Sequence, residues 1–166
     1  MTLDRISSKR VLVRFDFNVP MKNGTIVNDF RIRQSLETIK KLLENDNKII
    51  IVSHLGRPTE GVYDESLSLK PICKYLSEFL NINIKFFSSY KDDIKFEDYK
   101  IAMLENVRFN SGEKSCDSNL SKAYASLADH FVFDAFGVSH RKECTTYGVS
   151  DYLTTHAGHN ISNEIK

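Results

Sequence analysis

Five largely apolar runs punctuate the chain: Val11–Val13 continuing to Phe17, Ile49–Val52, Ile84–Phe87, Ile101–Leu104 and Phe131–Phe133, each bounded by polar or glycine-containing turns. Because they are continuous rather than alternating, they read as strands buried on both faces, the habit of parallel sheets. Segments with a helical period lie between them. Ile32, Leu36, Ile39 and Leu43 share one face of a helix predicted from about Asp29 to Asn45. Leu69, Ile72, Cys73, Leu76, Phe79 and Leu80 do the same from about Ser68 to Leu80, and Leu120, Ala123, Tyr124 and Leu127 mark a third helix over about Ser118 to Asp129. The order β-α-β-α-β-β-α-β predicts an α/β fold: a three-layer, Rossmann-like, mostly parallel sheet with helices on both faces.

Composition narrows the class. With 41% hydrophobic and 27% charged residues, and 23 basic against 22 acidic side chains for a net charge of +1, the chain has the apolar content of an ordinary core and no charge excess of the kind seen in disordered tails. The near-neutral balance also argues against a nucleic-acid binder, so any anion site must be a local cluster of Arg and His. No stretch approaches the ~18 apolar residues of a membrane span, and the opening MTLDRISSKR has no apolar signal core, so a cytoplasmic location and no membrane partner are expected. Cys73, Cys116 and Cys144 are odd in number and widely spaced, which favours reduced thiols over a disulfide framework or a metal site.

In open parallel sheets, ligands bind beyond the carboxyl ends of the strands, so the residues after each apolar run are the informative ones. Those residues are Asp16 and Asn18; Ser53, His54 and Arg57; Glu105, Asn106 and Arg108; and Asp134, Gly137, His140 and Arg141. Three strand ends each supply an arginine, whose planar fork suits carboxylate or phosphate oxygens. Arg31 is predicted in the first turn of a helix capped by Asn28 or Asp29, where a cation meets the positive end of the macrodipole. An anion there would reverse that penalty, so Arg31 and the helix end are expected to form an anion site. In isolation each residue has a plainer role, as a turn former or a solvated cation. Arg33, on another helix face, is read as surface, and His130, His156 and His159 as structural.

Taken together, Asp16-Phe-Asn-Val-Pro20, Arg31-Ile-Arg33, Ser53-His-Leu-Gly-Arg-Pro58 followed by Thr59-Glu60-Gly61, Leu104-Glu-Asn-Val-Arg-Phe109 with Gly112-Glu-Lys114, and Asp134-Ala-Phe-Gly137 with His140-Arg141 resemble the N-terminal domain of bacterial phosphoglycerate kinases. The likeness runs from Lys9 to about Gly158. It departs at Gly137-Val-Ser-His-Arg141, where the family usually has Gly-Thr-Ala-His-Arg, and in the following Lys142-Glu-Cys-Thr-Thr146.

The resemblance implies a reversible phosphoryl transfer between ATP and 3-phosphoglycerate, giving ADP and 1,3-bisphosphoglycerate. It implies that residues 1–158 form the phosphoglycerate-binding domain and that residues 159–166 begin an interdomain helix. On this reading the Mg-ATP or Mg-ADP is held by a C-terminal domain outside the chain, which is the expected partner. No cofactor or metal is expected on these residues, and the chain alone is expected to bind phosphoglycerate without turnover. Carried over by position, Asp16 and Asn18 hold the glycerate, while His54, Arg57, Arg108 and Arg141 surround its phosphate. Arg31 contacts the carboxylate and steadies the phosphoryl group in transit. A stand-alone binding module for a small phosphorylated acid is the alternative. A nucleotide-binding domain is disfavoured, because no G-x-G-x-x-G or Walker loop is present.

Overall fold

The computed structural model describes residues 2–165. In chain order, β1 (Arg10–Phe15) leads to a small hairpin, β2 (Met21–Lys22) and β3 (Thr25–Ile26), then to α1 (Phe30–Gln34), α2 (Leu36–Glu44) and β4 (Lys48–Val52). There follow α3 (Lys70–Leu80), β5 (Ile84–Phe87), β6 (Ile101–Leu104), α4 (Ser118–Ala125), β7 (His130–Asp134), β8 (Thr154–Ala157) and α5 (His159–Ile165). Six strands form one sheet in the order β5-β6-β4-β1-β7-β8, every pair parallel.

The continuous apolar runs explain the layers, since alternate residues of a strand face opposite sides of the sheet. Val11, Val13, Ile49, Ile51 and Met103 point to one side, where Ile32, Ile39, Leu42, Ile72 and Leu76 of α1 to α3 cover them. Leu12, Ile50, Val52, Ala102 and Phe131 point to the other side and meet Leu120 and Tyr124 of α4. Both faces are therefore buried, each enclosed Ile or Leu contributing ~1.5–3 kcal/mol. The expected α/β architecture with helices on both faces is the one observed.

Boundaries depart from expectation where polar side chains compete with the backbone. The helix expected from Asp29 to Asn45 is broken at buried Ser35, whose hydroxyl donates to the carbonyl of Ile32 at 2.6 Å. Likewise α4 stops at Ala125, where the Ser126 hydroxyl turns back to Ala123 at 2.7 Å. Strand β8 was not anticipated from the sequence. As an edge strand it has one neighbour, and its Thr154 and Thr155 are exposed, so no apolar run marks it. The tail expected to start a helix is helical as α5; Lys166 lies outside the described residues. Among the described residues no helix is long and apolar enough to cross a membrane.

Parallel pairing puts the carboxyl ends of β1, β4, β6 and β7 along one edge. Phe15 is in register with Asp134, and Arg14 with Val52, so the loops after these strands emerge side by side.

Candidate anion-binding site

At that edge lies a cleft of about 250 Å³ lined by Asp16, Asn18, Arg31, His54, Arg57, Arg108 and Arg141, with Gly56, Gly137 and Val138. All seven residues singled out from the sequence thus share one cavity, although the loops that carry them are far apart in the chain. A larger groove of about 810 Å³ runs along α3 and β5, but Glu65, Lys70, Lys74 and Glu78 line it with cancelling charges.

The walls are built by short-range chemistry. Asn18 accepts the Gly56 amide at 2.9 Å through Oδ1, and its own backbone N–H donates to Asp16 Oδ1 at 3.1 Å. Arg31 Nη1 donates to the Asn18 carbonyl at 2.9 Å and to Asp16 Oδ1 at 3.3 Å, which ties the mouth to the loop after β1. A side chain at Gly137 would place its Cβ 2.8 Å from Asp16 Oδ2, so a larger residue in the loop after β7 would have to displace that carboxylate.

The cations divide by burial. Arg108 is 3% exposed; its Nη1 donates to the Gly56 carbonyl at 3.0 Å and its Nη2 to Glu143 Oε1 at 3.3 Å. Arg141 Nη1 lies 3.9 Å from the same Glu143 oxygen with its side chain 41% exposed. Arg57 is exposed and makes no ion pair among the described residues. Four guanidiniums thus face the cleft against the carboxylates of Asp16 and Glu143, a local positive excess in a chain of net charge +1.

His54 is the non-arginine donor of this wall. Its Nδ1 lies 2.6 Å from Arg14 Nη2, and because a guanidinium can only donate, Nδ1 accepts and the ring proton sits on Nε2. Burial, reinforced by the charges of Arg14, Arg108, Arg141 and Arg31, holds the imidazole pKa down to about 2. The neutral ring therefore offers a hydrogen bond rather than a charge at pH 7.

Sequence reasoning missed what stands behind this wall. Arg14 is 1% exposed within β1, and its Nη1 donates to Thr145 Oγ1 at 3.0 Å. Thr145 Oγ1 in turn donates to Glu113 Oε1 at 2.6 Å. Burial lowers the Arg14 pKa from its ordinary value, and burial raises that of Glu113 to about 7 despite the opposing attraction of Arg14. A signal existed: an arginine inside an apolar strand must find a partner.

Several strand-end residues serve the scaffold instead. Asp134 accepts Thr38 Oγ1 at 2.6 Å and the Asn160 and Ile161 amides at 2.9 and 3.1 Å, so it caps α5. Glu105 accepts Ser68 Oγ at 2.6 Å and the Leu69 amide at 2.8 Å at the start of α3. His140 is exposed and lies outside the cleft. Arg33 pairs with Asp29 at 3.0 Å, also away from it. The expected anion site at the end of the helix carrying Arg31 is corrected: α1 has five residues, and the Phe30 amide is already taken by Asn28 Oδ1 at 2.9 Å. His130 Nδ1 and His156 Nε2 are 3.0 Å apart, and His159 Nδ1 is 3.5 Å from Lys41 Nζ.

The fold is an open parallel α/β sheet with an arginine-walled cleft at its strand ends, the edge at which such sheets place their ligand sites. The phosphoglycerate kinase family model matches residues 2–166, and the chain belongs to that family. It is 47% identical over 162 residues to the phosphoglycerate kinase of Francisella tularensis subsp. novicida (strain U112), covering 97% of this chain and 41% of that relative. The solved phosphoglycerate kinase of Coxiella burnetii superposes with a TM-score of 0.89 at 41% identity, over 96% of this chain and 41% of that one. The enzyme of Pyrococcus horikoshii OT3 gives 0.83 at 29% identity, over 96% of this chain and 42% of its own. The chain thus spans about two fifths of the length of the relatives it matches.

Proposed function

We propose that this chain is the phosphoglycerate-binding half of a phosphoglycerate kinase, taking 3-phosphoglycerate or 1,3-bisphosphoglycerate in the arginine cleft. The observation that carries this reading is the convergence of Arg31, Arg57, Arg108 and Arg141 with His54 on one cavity of about 250 Å³, a size suited to a three-carbon phosphorylated acid. Arg57, Arg108, Arg141 and His54 face the phosphate, Asp16 and Asn18 the glycerate, and Arg31 at the mouth the carboxylate that exchanges the phosphoryl group. The Mg-nucleotide is assigned to the part of the relatives that this chain does not match, and on these residues alone transfer is expected to be absent.

The chemistry fits the side chains present. A carboxylate nucleophile with a pKa near ~4 is already ionised at pH 7, so no general base is required, and a neutral His54 is suited to binding rather than proton abstraction. Catalysis then rests on positioning and on cations facing the developing charge, which is the part given to Arg31.

Calorimetric titration of the chain with 3-phosphoglycerate tests the reading. Binding is expected at low salt and weakens as salt rises, since the cleft is open to screening. Arg57→Ala or Arg141→Ala should cost about 1.5–3 kcal/mol of affinity, as for hydrogen bonds to charged groups. A folded sample that binds nothing at low salt overturns the site, and equal binding of an uncharged analogue overturns its mechanism.

A further inference from the structure

Behind the cleft, three buried side chains that do not line it form a row that ends on His54. Glu113 is fully enclosed; its Oε1 accepts both the Thr145 hydroxyl at 2.6 Å and the Thr145 amide at 3.2 Å, while Oε2 has no hydrogen-bond partner. The Thr145 hydroxyl spends its one proton on Glu113, so toward Arg14 it is an acceptor, and Arg14 Nη1 donates to it at 3.0 Å. That bond fixes the guanidinium plane and aims Nη2 at His54 Nδ1, 2.6 Å away. His54 Nε2 is then the ring nitrogen left for the cleft that His54 lines; it has no hydrogen-bond partner among the described residues and is not one of the enclosed, unpaired atoms.

We propose that Glu113, Thr145 and Arg14 are a positioning relay that holds His54 as a neutral Nε2–H donor aimed at the anion, so that this wall of the cleft recognises the ligand by direction as well as by charge. The inference rests on the anion-binding reading of the cleft. Its physical advantage is that the donor is oriented before the ligand arrives. A free imidazole interconverts between two tautomers and an imidazolium, and selecting one of them on binding weakens the complex.

The depressed His54 pKa and the raised Glu113 pKa agree with this arrangement, in which Arg14 supplies the one buried positive charge of the line. Glu143, Asp16 and Arg108 act on Arg14, Arg141 and Arg31 act with Arg108 on His54, and Glu143 acts on Glu113. None of them offers His54 Nδ1 a second hydrogen bond.

The test uses the tautomer itself. Long-range nitrogen–proton correlation spectra of the ¹⁵N-labelled chain at pH 7, without ligand, should show His54 as the Nε2–H form and keep it unprotonated down to pH 5. Thr145→Val removes the link, and His54 should then show mixed tautomers, with affinity for 3-phosphoglycerate and inorganic phosphate falling about fivefold. Thr145→Ser restores the hydroxyl and should restore both readings. Glu113→Gln, a neutral isostere able to accept from Thr145, should fold and keep the tautomer even where Thr145→Val does not fold. A wild-type His54 that is Nδ1–H or protonated at pH 7 overturns the relay, as does an unchanged tautomer in folded Thr145→Val. Absence of 3-phosphoglycerate binding with the expected tautomer overturns the ligand assignment instead, so the two failures are separable.

Discussion

Replacing Arg108 and Arg57 by alanine should separate two tasks that a list of cationic site residues merges. Arg108→Ala deletes the bonds to the Gly56 carbonyl at 3.0 Å and to Glu143 at 3.3 Å and leaves a carboxylate that is 4% exposed. Breaking a buried pair from one side costs about 3–5 kcal/mol. Arg141, already 3.9 Å from the same oxygen, can close in and recover about 1 kcal/mol, the most a partly exposed pair returns. The expected loss is therefore roughly 2–4 kcal/mol of roughly 5–15 available, enough to lower Tm by roughly 5–15 °C without abolishing folding. Arg57 is exposed and has no ion pair among the described residues, so Arg57→Ala should change stability by less than about 0.5 kcal/mol while costing about 1.5–3 kcal/mol of phosphoglycerate affinity. Urea unfolding of the ligand-free chain and calorimetric titration give the two numbers independently. Adding Glu143→Gln to Arg108→Ala should recover at least half of the lost stability, because the stranded charge is gone. The reasoning is refuted if Arg108→Ala unfolds within 0.5 kcal/mol of the wild type, or if Arg57→Ala is the more destabilising of the two.

Gly158→Ala would place Cβ 2.2 Å from Asp134 Cγ, and with Asp134 held by the α5 amides the clash should cost roughly 2 kcal/mol or more and speed amide exchange across α5; unchanged exchange counts against it. Arg33→Ala removes an exposed i,i+4 pair and should leave phosphoglycerate affinity within experimental error, so a loss as large as that of Arg57→Ala would redraw the border of the site. Glu113, its pKa raised to about 7 from the ordinary 4.5, stabilises the fold when protonated: its contribution is full below pH 4.5 and is lost as pH rises through 7. Relative to Glu113→Gln the wild type should thus lose about 1.4 kcal/mol of stability per pH unit across that window, and parallel pH profiles for the two chains would contradict the buried, proton-holding Glu113.

The sheet was legible in the sequence because its four inner strands are covered on both faces and must be largely apolar at successive positions, while edge strand β5 still keeps Ile84, Phe86 and Phe87. Edge strand β8 was not, since Thr154 and Thr155 face solvent and only His156 of that strand is buried, a pattern that periodicity cannot separate from a loop. Ser35 shows a second limit. Helical spacing from Ile32 to Leu43 persists across the break, because the two short helices keep the same face on the core while the serine hydroxyl interrupts the backbone ladder. For the site, six of the seven cleft residues could be assembled from strand ends because a parallel sheet delivers those ends to one edge whatever the loops contain, and Arg31 stood out by its place at the start of a helix. Their supports could not be assembled that way. Arg14 reaches Thr145 across 131 positions and His54 across 40, and Thr145 reaches Glu113 across 32, so none of these partners is a neighbour in the chain, and Arg14, Glu113 and Thr145 do not follow an apolar run. Asp134 and Glu105 lie at strand ends too, but they serve the helices, accepting the amides at the starts of α5 and α3. A dense cluster of arginines is stable without ligand only if buried carboxylates balance part of its charge. Glu143 does so from a loop that follows no apolar run, pairing with Arg108 at 3.3 Å, which is why this balancing carboxylate, unlike Asp16, emerged only in three dimensions.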